Sequence, residues 1–165
     1  MPKNIMTAEE ARQLFSYNPE TGDLVWVKSC GSAPAGSTAG TKRSDNYITL
    51  QIYGKRYLAH RIAWLLHYGK WPEKLLDHID GNPSNNRIAN LREASYSQNN
   101  CNAKRRKNTS GFKGVSWWAR DKKWQVHIHT ETGRKFLGYF PTPEEAYAVY
   151  CKAAREHYGE FANTG

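Results

Sequence analysis

The chain has 165 residues, enough for one ordinary domain or two small ones, each with a core that is only marginally stable alone. Its formal net charge is +9 and its pI is about 9.5, which favours a polyanionic partner, nucleic acid before a membrane surface. The charge is uneven, because the first 100 residues carry 12 Lys and Arg against 9 Asp and Glu and the rest carry 12 against 6. The smaller part is therefore the more basic one.

The cysteines and the apolar runs indicate an intracellular protein. Cys30, Cys101 and Cys151 are an odd number, are widely spaced and form no CxxC pair, which argues against a disulfide framework and a structural zinc knuckle. No apolar run approaches the roughly 18 residues that a membrane span needs, and the N-terminus lacks a secretory apolar core. We expect a cytoplasmic protein that stays in the cell that makes it.

The first 70 residues predict two helices and several short strands. Thr7 and Glu10 form a capping box at the start of a short helix whose buried side includes Phe15. Alternating apolar residues and a Gly-Lys turn predict a hairpin, and Gly69 closes the helix after it. The predicted elements after the first helix are strands at Leu24–Lys28, Tyr47–Tyr53 and Arg56–Ala59 and a helix from His60 to Tyr68.

His60 and Arg61 open the second predicted helix. The positive N-terminal end of that helix, with Arg61 beside it, is a candidate phosphate site. The alternative for His60 is a structural histidine that packs beside Trp64 and Trp71.

The stretch LLDHIDGNPSNNRIANLREASYSQNNCN, residues 75–102, concentrates metal-ligand and proton-transfer side chains. Its pattern predicts a strand, a loop, a second strand (Leu91–Ala94) and a polar helix that carries Asn99. Two oxygen ligands, Asp77 and Asn99, suit a hard cation such as Mg²⁺, and a neutral His78 can take a proton from water. The alternative is that Asp-His and Asn-Asn are ordinary turn residues that cap a small helix.

The segment DHIDGNPSNNRIANL followed by SQNN resembles the motif of HNH endonucleases, in the variant typical of phage and intron-encoded enzymes. The resemblance implies that Asp77 and Asn99 hold one Mg²⁺ or Mn²⁺ ion, with Asn100 as the alternative to Asn99. It also implies that His78 is the general base and that Asn90 orders the loop rather than doing chemistry. The fold it implies is the ββα-metal arrangement, with a core motif at residues 75–101.

A run of four basic residues follows the motif, in the predicted linker at residues 102–110. The run consists of Lys104, Arg105, Arg106 and Lys107. Such a run can be a solvated tether, but between two DNA-facing modules it would also neutralise phosphates or lie along the minor groove. We expect it to contact DNA.

From Gly111 onward the pattern predicts three antiparallel strands and one helix. The segments GFKGV, KWQVHIH, GRKFLGYF and TPEEAYAVYCKAAREHYGEFAN resemble the AP2 DNA-binding domain. The resemblance implies DNA contacts at Lys113, Ser116, Trp118, His127, His129, Arg134 and Phe136, and Arg120 is a further candidate. Plant members have arginines at the positions of Ser116, Trp118 and His129, so their target sequence does not transfer. A metal site at His127 and His129 is the weaker alternative, since it lacks a third ligand.

These observations predict an α+β protein with a nuclease domain at residues 1–101, a basic linker at 102–110 and an AP2-like domain at 111–165. The predicted function is a metal-dependent endonuclease of the phage homing type that acts on double-stranded DNA, as a monomer, in the cytoplasm of a bacterial host. The main alternative is a non-catalytic, sequence-specific DNA-binding regulator with a degenerate HNH site. An RNA-binding structural protein fits the charge but explains neither motif.

Overall fold

The computed structural model describes residues 6–103 and 108–164 and has a mixed α/β fold. The chain divides into two compact units, Met1–Glu93 and Ala94–Gly165. The predicted basic run at residues 104–107 lies outside the described residues. No described helix has the length and apolar content that crossing a membrane requires.

The N-terminal unit is built from short strands and two helices around one apolar core, which includes Leu50, Ile62 and Leu65. In chain order its elements are α1 (Ala8–Leu14), β1 (Phe15–Tyr17), β2 (Leu24–Trp26), β3 (Thr41–Lys42), β4 (Ile48–Ile52), β5 (Lys55–Leu58), α2 (Ala59–Tyr68), β6 (Leu75–His78), a 3₁₀ turn (Ile88–Asn90) and β7 (Leu91–Ala94). Antiparallel pairs join β1 with β2 and β4 with both β3 and β5, and β6 is hydrogen-bonded to β7.

The first helix begins as predicted and ends earlier. Thr7 and Glu10 form the expected capping box. The expectation that Phe15 lies on the helix is wrong, because Phe15 has extended dihedrals (φ −131°, ψ 144°) and starts β1. Phe15 pairs with Trp26 across the β1–β2 hairpin, with ring centroids 4.5 Å apart. The contact between the two aromatic rings favours the extended conformation of Phe15 over one more residue of α1.

The second hairpin and its following helix match the sequence pattern closely. Tyr53 (φ 48°) and Gly54 (φ 78°) form the turn between β4 and β5, one residue earlier than predicted, and two positive φ values suit a tight hairpin. Helix α2 ends at Gly69, whose φ of 73° is the left-handed conformation expected of a C-cap glycine.

The C-terminal unit packs a long helix and a short one with a three-stranded sheet. After Ala94 its elements are α3 (Tyr96–Asn102), β8 (Val115–Trp118), β9 (Lys123–Thr130), β10 (Gly133–Phe140), α4 (Pro143–Tyr158) and a 3₁₀ turn (Gly159–Phe161). The sheet is antiparallel in the order β10-β9-β8. Val126 and Ile128 of β9 and Ala146 of α4 share its buried core. The three strands and the helix that follows them are confirmed as elements.

Helix α3 belongs to this second unit by its packing. Cys101 lies in the same core as Val126, and the Ser97 hydroxyl lies 3.1 Å from the Tyr158 hydroxyl. The Lys113 ammonium donates to the carbonyl oxygens of Cys101 and Ala103. The division at Glu93 and Ala94 thus falls within the predicted nuclease motif, and the predicted boundaries at residues 101 and 111 remain predictions.

Candidate active site

Two functional side chains stand at the end of β6. Asp77 and His78 are each 4% exposed, and β6 stops at His78. A turn follows at once, since the Gly81 amide donates to the His78 carbonyl oxygen at 2.8 Å and Gly81 has φ 66°. Neighbouring side chains of a regular strand point to opposite faces. Because β6 ends at His78, the two side chains are not bound to that alternation, and both are buried.

Arg92 on β7 holds the candidate metal ligand. Its Nε lies 2.9 Å from Oδ2 of Asp77, and both side chains are largely buried. A buried charge pair of this kind orients the carboxylate and keeps it from being an isolated buried charge. The sequence analysis did not identify Arg92 as part of the site. Its position on the predicted strand Leu91–Ala94, which pairs with β6, is the signal that could have indicated it.

The donor chemistry at Asp77 fits a hard divalent cation. A carboxylate is a preferred ligand of Mg²⁺ and Mn²⁺, and ligating carboxylates in proteins are themselves held by hydrogen bonds, as Asp77 is by Arg92. Among residues 6–103 and 108–164, no group of three or more His, Cys, Asp or Glu is placed to hold a metal ion. A site made from Asp77 and an asparagine oxygen is not of that type.

Asn90 ties the loop between β6 and β7 together. Its Oδ1 accepts from the Asp80 amide at 3.0 Å, and its Nδ2 donates to Oδ1 of Asp80 at 3.0 Å and to the Asn85 carbonyl oxygen at 2.9 Å. Burial by itself would raise the pKa of Asp80, but hydrogen bonds from Asn85, Asn82 and Asn90 lower it below its usual value. The loop is thus closed around an ionised Asp80, with Asn90 as one of its donors.

His78 is held as a neutral base. Burial lowers its pKa, which the hydrogen bond with Asn86 and the charges of Asp80 and Asp77 partly oppose. The Asn86 Oδ1 lies 3.2 Å from Nε2 of His78. A histidine with a lowered pKa is unprotonated at pH 7 and can accept a proton from water.

His60 lies next to His78. The two imidazole centroids are 5.0 Å apart at an interplanar angle of 85°, and the Tyr47 ring contacts both. His60 is 4% exposed, and burial, His78 and Arg61 together lower its pKa to about 3. His60 is therefore a neutral ring that packs against the candidate base.

Arg61 packs on an aromatic ring. Its guanidinium carbon lies 5.7 Å from the Trp71 ring centroid, and burial lowers its pKa. Arg61 therefore makes a cation–π contact within the protein. Its predicted contact with a phosphate stays a prediction.

Asn99 lies on α3, in the C-terminal unit. The helix has a reciprocal capping box between Ser95 and Gln98. Asn99 is half-buried, whereas Asn100 is exposed and lines a cavity of about 850 Å³ in that unit together with Tyr150. Because Asp77 belongs to the other unit, the sharing of one ion by Asp77 and Asn99 stays a prediction.

The candidate DNA contacts of the C-terminal unit gather on one surface, which we name the open face. The open face is the side of the sheet opposite α4. Its residues on β9 alternate with the buried residues that face α4, and its residues on β8 and β10 are their cross-strand partners. It carries Ser116, Trp118, Gln125, His127, His129, Arg134, Phe136 and Tyr139.

Aromatic and cationic side chains adjoin one another across the open face. Phe136 contacts His127 and Tyr139, with centroids 5.2 and 4.9 Å apart. Arg134 Nη2 lies 3.0 Å from His127 Nδ1, and an arginine can only donate, so the His127 proton is on Nε2. Burial, Arg134 and His129 lower the pKa of His127. Tyr139 was not foreseen, because the β10 bulge near Phe136 shifts the alternation.

Two other candidates have partners within the C-terminal unit. Arg120 lies over Trp118, 5.8 Å from the ring centroid, and forms an exposed ion pair with Asp121 at 2.8 Å. Lys113 is half-buried against the C-terminal carbonyls of α3, and burial lowers its pKa. Within the described part of the chain, His127 and His129 find no third His, Cys, Asp or Glu to complete the alternative metal site.

Comparison with known proteins identifies the strand–loop–strand–helix segment. A family model described as HNH endonuclease matches residues 57–101. Protein 3.8 of Escherichia phage T7 is 39% identical over 88 residues, which is 53% of this chain and 72% of that protein. A protein of Acanthamoeba polyphaga mimivirus named as an uncharacterised HNH endonuclease is 33% identical over 110 residues, 66% of this chain and 57% of that protein.

Two further similarities are more limited. An ethylene-responsive transcription factor of Arabidopsis thaliana is 40% identical over 74 residues, 42% of this chain and 21% of that protein. A solved structure that describes DNA binding and cleavage by the HNH homing endonuclease I-HmuI has a TM-score of 0.39 and 20% identity, and it covers 85% of this chain and 76% of its own. By the family model and the phage relative, this chain belongs to the HNH endonuclease family.

Proposed function

We propose that the chain is a metal-dependent endonuclease of the homing type that hydrolyses phosphodiester bonds in duplex DNA. The observation that carries the proposal is the buried pair at the end of β6, where the hydrogen-bonded carboxylate of Asp77 adjoins the neutral imidazole of His78. The HNH family membership and the net charge of +9 support it.

Each residue of the site has a chemical role in this proposal. His78 takes a proton from the water that attacks the phosphorus, and the 3′ oxygen leaves. Asp77 and Asn99 would hold the Mg²⁺ or Mn²⁺ ion, whose charge offsets the negative charge that develops on the phosphate and the leaving oxygen. Arg92 keeps the Asp77 carboxylate in place, and Asn90 keeps the loop closed.

The open face of the C-terminal unit is proposed to choose the site on DNA. A short antiparallel sheet is of a size that the major groove admits. The face offers Arg134 for phosphates or guanine, the Nε2–H of His127 for a base acceptor, and the rings of Phe136 and Tyr139 for apolar contact with thymine methyl groups. The partial similarity to the plant transcription factor supports this AP2-like role.

The experiment that tests the nuclease proposal compares matched variants on phage or plasmid DNA with Mg²⁺. Asp77→Asn is preferable to Asp77→Ala, because it removes the negative charge and keeps the side-chain volume and an oxygen that can accept from Arg92. We expect Asp77→Asn to abolish cleavage and to retain DNA binding. Asp45→Asn, which removes an exposed carboxylate paired with Arg43 in the same unit, is the control and should cleave normally.

The same assay separates the main alternative. Binding to duplex DNA without cleavage in Mg²⁺ or Mn²⁺ by the unmodified chain would favour a non-catalytic regulator. Undiminished cleavage by Asp77→Asn would show that the reaction occurs elsewhere.

A further inference from the structure

The carbonyl groups at the end of α3 are bound by side chains from outside that helix. The last carbonyls of a helix have no partner within it. The Lys113 ammonium donates to the carbonyl oxygens of Cys101 and Ala103, to the second at 2.9 Å. The side-chain amide of Asn163 donates to the Asn102 carbonyl oxygen at 2.9 Å. Three consecutive carbonyls are thus held by two side chains of the C-terminal unit.

The charge of Lys113 suits this position. The C-terminal end of a helix carries a partial negative charge, so a cation there is favourable. Hydrogen bonds from a charged donor are also stronger than those between neutral groups. Two of the three N–H groups of this ammonium are therefore used within the protein, although the resemblance to the AP2 domain implies a contact with DNA.

The backbone next to Lys113 is attached to the strand that carries part of the open face. The His127 amide donates to the Gly114 carbonyl oxygen at 2.9 Å. Gly114 has φ 74°, and a Cβ there would lie 2.7 Å from the His127 carbonyl oxygen and 2.3 Å from a ring carbon of Tyr150. Only glycine allows this approach. Lys113 therefore starts from a backbone that is fixed to β9.

Helix α3 has two further attachments within the same unit. Near its start, the Ser97 hydroxyl lies 3.1 Å from the Tyr158 hydroxyl. Near its end, the side chain of Cys101 is 5% exposed and shares the core of Val126. Asn99, the proposed metal ligand, lies between these two points on the helix.

We propose that Lys113 is a positioning residue that clamps α3 to the DNA-reading sheet, so that Asn99 keeps a fixed distance from the bases that the open face contacts. The inference rests on the proposed function for the role of Asn99 and for DNA reading by the sheet. The clamp itself belongs to the folded chain and can be observed without metal, DNA or reaction.

Hydrogen exchange of the full chain at pH 7.5, without metal or DNA, tests the clamp. Lys113→Met keeps the aliphatic stem and removes the donors, so amides of residues 96–103 should exchange about 10- to 100-fold faster. Lys152→Met is the matched control, because it removes the same charge from an exposed position on α4. Its α3 amides should exchange as in the unmodified chain.

Duplex binding at several salt concentrations separates the clamp from a phosphate contact. A lysine that neutralises a phosphate would, when lost, reduce the slope of log affinity against log salt by about 1. We expect Lys113→Met to keep the slope of the unmodified chain, as Lys152→Met should.

Mapping of the ends formed on DNA with Mg²⁺ tests the consequence for cleavage. Lys113→Met should cut at neighbouring phosphates as well as at the original one. Its kcat should fall by about 10- to 100-fold while KM for DNA stays nearly constant. A helix that was merely less stable would lower the yield and leave the cut position unchanged.

Three results would overturn the proposal. These are equal α3 exchange in Lys113→Met and Lys152→Met, a salt slope reduced by about 1 in Lys113→Met, and an unchanged cut position in that variant. If Lys113→Met does not fold, Asn163→Leu, which removes the donor to the Asn102 carbonyl, carries the same expectations for exchange and cut position. Faster α3 exchange in a chain that cleaves no DNA would refute the nuclease proposal and not the clamp.

Discussion

Acidification should destabilise the N-terminal unit through His60. His60 is buried against His78 and Tyr47, near Arg61, and its pKa of about 3 in the folded chain lies below the ordinary 6.5. The unfolded chain therefore binds the proton first as the pH falls. The stability is fully present above about pH 6.5 and is lost progressively from there toward pH 3.

The size of the effect follows from the two pKa values. Each pH unit between them costs about 1.4 kcal/mol, so lowering the pH from 7.5 to 5.0 should remove about 2 kcal/mol through His60. His78 acts in the same direction, because burial lowers its pKa too. The contribution of His60 is therefore isolated by comparing the unmodified chain with a variant.

Urea unfolding at pH 7.5 and 5.0 measures the free energy of unfolding, and hydrogen exchange of individual peptides assigns the transition to the N-terminal unit. His60→Gln should lose about 2 kcal/mol less than the unmodified chain between these pH values. The control His67→Gln, an exposed position on the same helix, should lose as much as the unmodified chain. Equal losses in His60→Gln and the unmodified chain would refute the buried, neutral state of His60.

Three more outcomes are expected. Arg92→Ala removes the guanidinium from the buried Asp77 carboxylate and should cost about 3 kcal/mol of unfolding free energy, measured in urea; a loss below about 0.5 kcal/mol would contradict the buried pair. On the open face, Arg134→Ala should reduce the slope of log affinity against log salt by about 1, whereas Phe136→Ser should weaken duplex binding without changing that slope. Filter binding at several salt concentrations distinguishes the two variants. Equal slopes in the unmodified chain and both variants would contradict a phosphate contact of Arg134. Because each chain carries one candidate site, a monomer should mainly nick, so a supercoiled plasmid with one target should give open circles first; linear DNA appearing directly, at a rate that rises with the square of enzyme concentration, would contradict this.

Local signals gave the parts of the fold that depend on neighbouring residues. The capping box at Thr7, the C-cap at Gly69 and the strand Leu91–Ala94 are confirmed, because each depends on residues a few positions apart. Phe15 was misassigned because its strand conformation depends on Trp26, which lies eleven residues away across a hairpin. Propensity alone does not carry that information.

The sequence pointed to the candidate residues of the site but not to the residues that hold them in place. The Asp-His pair could be found by residue type, whereas Arg92 and Asn86 are recognised only once β7 and the loop bring them to it. The contact between His60 and His78 links residues from α2 and β6 and has no periodic signal. The membership of α3 in the C-terminal unit depends in the same way on Cys101 and its distant core partners.

The central claim is that Asp77 and His78 form a metal-dependent hydrolytic centre. The most direct measurement incubates the purified full chain with phage DNA in Mg²⁺ and in excess chelator, beside His78→Gln, and maps the ends formed. We predict cleavage only by the unmodified chain and only with Mg²⁺, leaving 3′-hydroxyl ends. Full cleavage in excess chelator, or equal cleavage by His78→Gln, would contradict the claim.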